Sequence, residues 1–184
     1  TFYTGEWWAF AALGEPLRIP VPARSDIHVA FDDQLVVLLR EDWHVAGQPE
    51  LRAGDLISFD LAALLESRVL PAVRIVFRPS DRQAIQQLAI GRDRMLLNFS
   101  DNVVSRLVWV DRTGGGDWTI TPVSLPANGE AAIVSSDEHE TAVLLSYQDF
   151  LTPDSCLALD SATTTAPDDA RLVRRGTAHF DARG

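Results

Sequence analysis

A chain of 184 residues, 46% apolar and 23% charged, has the composition of an ordinary globular protein, which excludes disordered and fibrous classes. Its net charge of -10 argues against nucleic acid and anionic membrane surfaces as partners, because phosphate groups would be repelled rather than neutralised. No apolar stretch approaches the roughly 20 residues that cross a bilayer, and the single Cys156 leaves no internal disulfide and no cysteine-based zinc site.

The chain opens in a strand-like run, Phe2 to Leu13, without the charged and apolar regions of a leader, so no targeting signal is expected within it. Residues 7–22 (WWAFAALGEPLRIPVP) read as two strands that end a unit whose first half is missing. The next unit begins with a strand over Ile27 to Phe31 and turns at Asp32-Asp33 into Val36 to Asp42 (VVLLRED). After the long connection Trp43 to Gly54 it resumes as Leu56 to Asp60 (LISFD). Leu61 to Ser67 (LAALLES) is a short helix or a turn or two of irregular chain, and Arg74 to Arg78 is the fourth strand.

The same order then repeats. Ile85 to Ile90, Met95 to Asp101 (MLLNFSD), Leu107 to Asp111 (LVWVD) and Trp118 to Leu125 form one set. Ala131 to Ser135, Val143 to Asp149 (VLLSYQD), Leu157 to Asp160 (LALD) and Arg171 to Arg174 form the next. Gly91-Arg92-Asp93, Asp101-Asn102, Thr113 to Asp117 and Asp137-Glu138-His139 supply the reversals. The acids that close the second strands, Asp42, Asp101 and Asp149, are 59 and 48 residues apart; those that close the third, Asp60, Asp111 and Asp160, are 51 and 49 apart. Two landmarks recurring near a period of about 50, with four strands per period, mark a β-propeller. Second strands that are apolar at consecutive positions suit sheets covered on both faces.

The expected fold is therefore all-β: a partial β-propeller of about three and a half four-stranded antiparallel blades. One domain would span 1–184, with 1–25 ending a preceding blade and blades at 26–80, 81–127 and 128–184. An incomplete ring would leave apolar faces and an unpaired strand edge open, so association with itself or with another part of its parent is an expected consequence. Leu38, Leu97 and Leu145 are expected to be buried at comparable places, each costing several kcal/mol when changed to Asp.

Several runs resemble the phrasing of the propeller domain of the prolyl oligopeptidase family of serine peptidases. They are Arg40-Glu41-Asp42-Trp43, Ala53-Gly54-Asp55-Leu56-Ile57, Ser100-Asp101-Asn102-Val103, Gly116-Asp117-Trp118, Leu125-Pro126 with Gly129, and above all Asp149-Phe150-Leu151-Thr152-Pro153; Phe180-Asp181 resembles the stretch shortly before that family's chain leaves the propeller. The resemblance implies a parent in which an α/β-hydrolase domain carries a Ser, Asp and His triad, capped by a propeller that admits short peptides and excludes folded proteins. The chain departs from the complete pattern in having no Gly-x-Ser-x-Gly elbow and about half the expected blades, so no catalytic residue is assigned within it. The implied partners are the hydrolase domain of the same parent chain and a peptide substrate; no cofactor and no metal is expected, and the parent is taken to be cytoplasmic.

The residues taken alone leave two other classes open: a propeller serving only as a protein-interaction scaffold, and a carbohydrate-binding β-sandwich, which would need no such period. His28, His44, His139 and His179 are scattered, and the cluster Asp137 to Glu140 reads as a solvated turn. Gly114-Gly115-Gly116 lacks the Lys and helix start of a phosphate loop. Asn98-Phe99-Ser100 fits a glycosylation sequon but falls in an inner strand, and Cys156, among apolar neighbours, reads as a buried thiol. Trp109 and Trp118 are expected between blades. Trp43 begins the longest connection and is the best candidate for a functional contact, facing either the catalytic domain or the central channel.

Overall fold

The computed structural model describes residues 4–10, 14–114, 116–125, 129–162 and 170–177, in two compact units, Thr1–Pro79 and Ser80–Gly184. Gly115, Pro126, His179 and Phe180-Asp181, and parts of the run Phe2 to Leu13, lie outside the described residues.

In the first unit, β1 (Trp8–Ala9) and β2 (Leu17–Arg18) make a two-stranded sheet. β3 (Ser25–Phe31), β4 (Gln34–Leu39), β5 (Leu56–Asp60) and β6 (Arg74–Phe77) follow as a four-stranded antiparallel sheet in chain order. All six residues of β4 are buried, as its consecutive apolar positions require. Ile19, Val37, Leu39, Leu51, Ile57 and Phe59 anchor the core, with Leu17 and Trp43 packed at its margin. The hairpin between β3 and β4 turns on Asp32 and Asp33, both at positive φ (48° and 61°), the pair of left-handed residues a tight hairpin needs.

Between β5 and β6 lies α1 (Leu61–Ser67). Asp60 caps it, its carboxylate accepting from the Ala63 amide at 2.8 Å, and Arg68 closes it at φ 57°. Of the two readings of LAALLES the structure shows the helix, and Leu64 is the residue it buries.

The second unit holds two such sheets: β7 (Gln83–Ile90), β8 (Met95–Asp101), β9 (Val104–Arg112) and β10 (Trp118–Val123), then β11 (Glu130–Ser135), β12 (Ala142–Gln148), β13 (Ser155–Asp160) and β14 (Arg171–Arg175). Leu96, Leu107 and Trp109 of the first pack with Val143, Leu145 and Tyr147 of the second in one apolar cluster. A polar seam runs beside it. Gln87 of β7 accepts from the Ile133 amide at 2.7 Å and donates to its carbonyl at 3.1 Å, so its side chain joins β7 to β11. Asn98, buried in β8, donates to the Ala131 carbonyl at 2.8 Å. The sequon asparagine is therefore a packing residue.

Register corrects one expectation. Leu38, Leu97 and Leu145 are all buried, but they do not occupy one place. Val37, Leu97 and Leu145 pair with Ile57, Val108 and Leu157, each three residues before the closing acid of its third strand, whereas Leu38 pairs with Leu56 and corresponds to Asn98 and Ser146. Aligning the sheets on Asp42 misplaces the first by one residue, and a shift of one puts a side chain on the opposite face. Asp42 lies beyond the end of β4, so Asp60, Asp111 and Asp160 are the sounder landmarks. Cys156 is half-buried rather than enclosed, because it shares the less covered face of β13 with Ala158.

Candidate functional site

The connections from second to third strand leave one end of each sheet, and they differ sharply. In the first unit this connection is the long run that begins at Arg40. Trp43 and Leu51 form an isolated antiparallel bridge across it, and Leu51 is fully buried. Gln48 donates to the Pro71 carbonyl at 3.2 Å and accepts from the Val73 amide at 2.8 Å. Asp42 accepts from the Ala53 amide at 2.9 Å.

At its end the buried Asp55 carboxylate takes both arms of Arg78, at 2.8 and 2.6 Å, together with the Arg52 amide at 2.8 Å, while Arg78 also donates to the Glu50 carbonyl. That hydrogen bond to Asp55 raises the pKa of Arg78 further above its ordinary value. Gly54, at φ 94°, makes the final bend into β5. Trp43 is half-buried against the core of its own sheet. The connection is a strapped-down arm of the fold.

In the second unit the equivalent connections are short and bare. Asn102 and Val103 alone link β8 to β9, both at positive φ (48° and 65°), with Asp101 paired to Val104 across them. A β-branched residue in the left-handed region is a steric outlier, and Val103 is 95% exposed. Between β12 and β13, Phe150 is 93% and Leu151 68% exposed.

Asp149 holds that turn: one carboxylate oxygen accepts from the amides of Leu151 and Thr152 at 2.8 and 2.6 Å, the other from the Tyr147 hydroxyl at 3.0 Å. The Leu151 amide leads in pulling the Asp149 pKa below its ordinary value. Burial, then the bond to Asp149, pushes Tyr147 up to about 12. A Cβ on Gly129 would lie 2.2 Å from the Tyr147 ring, so only glycine fits beneath it. Val103, Val104, Gly129, Glu130, Asp149 and Phe150 border a concavity of about 540 Å³ here.

A second concavity, of about 600 Å³, lies in the first unit against Trp7, Arg24, Ser25, Asp26 and Arg40. Within it Arg40 and Asp26 pair at 2.7 Å, and Trp7 donates to the Ser25 carbonyl at 3.2 Å. Nearby on β3, burial lowers the pKa of His28. Arg94, buried in the second unit, clasps Asp111 through two hydrogen bonds and lies 5.2 Å from the Trp109 ring centre, a structural clamp. Among the described residues no group of three or more His, Cys, Asp or Glu is placed to hold a metal ion. Asp137 to His139 form an exposed turn, in which Asp137 accepts from the His139 amide and Arg92 donates to the His139 carbonyl.

Residues 53–167 match the family model of the prolyl oligopeptidase N-terminal β-propeller domain. An uncharacterised peptidase of Sinorhizobium fredii is 26% identical over 180 residues, covering 96% of this chain and 24% of that protein. One from Rickettsia prowazekii is 27% identical over 139 residues, covering 74% of this chain and 19% of its own length. The chain thus spans about a quarter or less of the curated relatives it matches. Among solved structures, a post-proline cleaving enzyme from Rickettsia typhi superimposes with a TM-score of 0.82 at 21% identity, over 99% of this chain and 26% of that one. Oligopeptidase B from Trypanosoma brucei gives 0.63 at 13% identity, over 92% and 23%. These likenesses show the fold to be that of a propeller's four-stranded sheets.

Proposed function

The chain belongs to the family of the prolyl oligopeptidase N-terminal β-propeller domain, and from that premise we propose that it is the non-catalytic, access-restricting part of a serine peptidase. The reaction would take place on a Ser, Asp and His triad in an α/β-hydrolase domain of the same polypeptide. The propeller's task is steric: short peptides pass, folded proteins do not. The observation that carries this reading is the family match over 53–167, laid on sheets of which the first has a second strand, β4, buried along its whole length and a long connection pinned at both ends. A wall that filters by size must not yield, and such sheets resist deformation because packed interiors have little room to shift.

The test is to treat the protein expressed from its native reading frame with a serine-directed fluorophosphonate and to compare its turnover of short peptides with that of a folded protein containing the same cleavable sequence. The expected outcome is one labelled serine, outside residues 1–184, and cleavage of the peptides only. Labelling of a serine within 1–184, or equal cleavage of the folded protein, would overturn the proposal. A scaffold without enzymatic role predicts no labelling.

A further inference from the structure

We propose that the concavity against Trp7, Arg24, Ser25 and Arg40 binds the C-terminal carboxylate of a peptide whose last side chain is apolar. The inference rests on the peptidase reading only for the source of that ligand; its place and chemistry come from three observations on these residues.

The first is charge. Arg24 and Arg40 line the concavity against one carboxylate, Asp26, so its wall is cationic in a chain of net charge -10. Asp26 engages Arg40 through Nε at 2.7 Å, and among the described residues the Arg24 guanidinium has no partner. An exposed arginine needs no explanation by itself. The second observation, Ser25, does. It is 4% exposed, it lines the same concavity, and its Oγ reaches no hydrogen-bond partner. Buried hydroxyls are almost always bonded, because one without a partner has given up its bonds to water for nothing. An acceptor entering the concavity supplies what Ser25 lacks. The third is an apolar plane: the Trp7 indole, 36% exposed, is fixed by its bond to the Ser25 carbonyl at 3.2 Å. The walls are also set in advance. The Arg24 amide donates to the Glu41 carboxylate at 3.0 Å, and its carbonyl accepts from the Arg40 amide at 2.9 Å, so little ordering is left for a ligand to bring about.

The ligand follows from what these groups require together. Guanidinium and hydroxyl offer hydrogens, and an ionised carboxylate offers acceptors only. At the end of a peptide the carboxylate shares its α-carbon with a side chain, which sets an apolar group directly beside the charge and against the indole. An acidic side chain within a peptide brings the charge without that neighbour. A volume of about 600 Å³ suits a ligand of this size and not a folded partner.

The experiment follows the Trp7 indole resonance, assigned with Trp7→Phe, in isotope-labelled protein expressed from its native reading frame. The probes are N-acetylphenylalanine, its C-terminal amide, and N-acetylaspartate amide. The expected result is a saturable shift with N-acetylphenylalanine alone. Arg24→Gln should weaken that binding about tenfold, and Ser25→Ala about threefold. Neither should lower the unfolding midpoint, since Arg24 is exposed and the Ser25 hydroxyl bonds nothing; a merely structural role for Ser25 predicts the reverse. An equal shift with the phenylalanine amide, a larger one with the aspartate amide, no shift with any probe, or full affinity in Arg24→Gln overturns the proposal. Fluorophosphonate labelling of the same sample separates the two readings. A labelled protein whose Trp7 does not respond sinks this site alone, and a responding protein that is not labelled sinks the peptidase assignment alone.

Discussion

The arm from Arg40 to Asp55 and the turn at Asn102 and Val103 do the same topological work, joining the second strand of a sheet to the third, and they are built on opposite terms. The long arm encloses its apolar residue, Leu51, and ties its polar ones to the residues just before and just after β6. The two-residue turn, and the turn at Phe150, enclose nothing and hold apolar side chains out in water on fixed backbones. Length is thus a poor guide to which connection is available for binding. A long connection supplies enough chain to satisfy itself, whereas a minimal turn has no residues to spare, so whatever it carries stays outside.

The largest effect should come from the arm's apolar anchor. Leu51→Ala leaves a cavity beneath a fully buried side chain and is expected to cost about 2–5 kcal/mol in denaturant unfolding. Phe150→Ala should change stability by less than about 0.5 kcal/mol in the same assay. Equal costs would erase the distinction between enclosed and presented residues. Next in size is the strap. Asp55→Ala strands Arg78 and frees the Arg52 amide, and about 2 kcal/mol is expected, at the lower side for a buried pair because Arg78 still reaches water. Limited proteolysis should then cut between Arg40 and Asp55, where the parent chain is resistant. Cleavage at the same rate in both would show that the strap does not hold the arm.

How much of this was legible in the sequence depends on how far apart the cooperating residues lie. The second strands were legible because turn residues bound them and consecutive apolar positions fill them, whereas LAALLES left α1 open between a helix and irregular chain. The straps were not, since Gln48 reaches Pro71 and Val73, and Asp55 reaches Arg78, across a strand and a helix. One of them had a usable signal: antiparallel pairing sets Leu56 opposite Phe77, which makes Asp55 and Arg78 neighbours. Trp43 stood out because it begins the longest connection, and it packs at the margin of its own sheet's core. Asp101-Asn102 does open the reversal, with Asp101 paired to Val104 across it. A two-residue turn on Asn102 and Val103 requires a valine with positive φ, which turn preferences argue against, and the same preference that hid Val103 is what makes it informative.

A smaller effect sharpens the contrast from the other side. Val103→Gly removes the side chain that resists the left-handed backbone and should stabilise the chain by up to about 1 kcal/mol, measured as a rise in unfolding midpoint. Val103→Asn should act in the same direction. Destabilisation by either would mean that the valine contributes to its own unit.

The smallest effect is one of protonation, and it tests whether the Phe150 turn is held as firmly as the arm. Asp149 has a folded-state pKa below its ordinary 3.8, led by the amide of Leu151. Its hydrogen bonds therefore favour the folded turn above pH 3.8, and that contribution disappears as pH falls through the lower folded value. Tyr147 has the opposite sign. With its pKa raised from 10.0 to about 12 by burial and by donation to Asp149, its contribution is whole below pH 10 and is lost as pH climbs through about 12. Tyrosinate absorbance should accordingly show a late ionisation near 12 that moves down in Asp149→Asn, because the hydroxyl would then lose a charged acceptor while keeping its burial. Asp55→Asn leaves the acceptor of the Tyr147 hydroxyl in place and should leave the late ionisation where it stands. A Tyr147 that titrates at the ordinary value would mean that the turn beneath Phe150 breathes and is held less firmly than the arm.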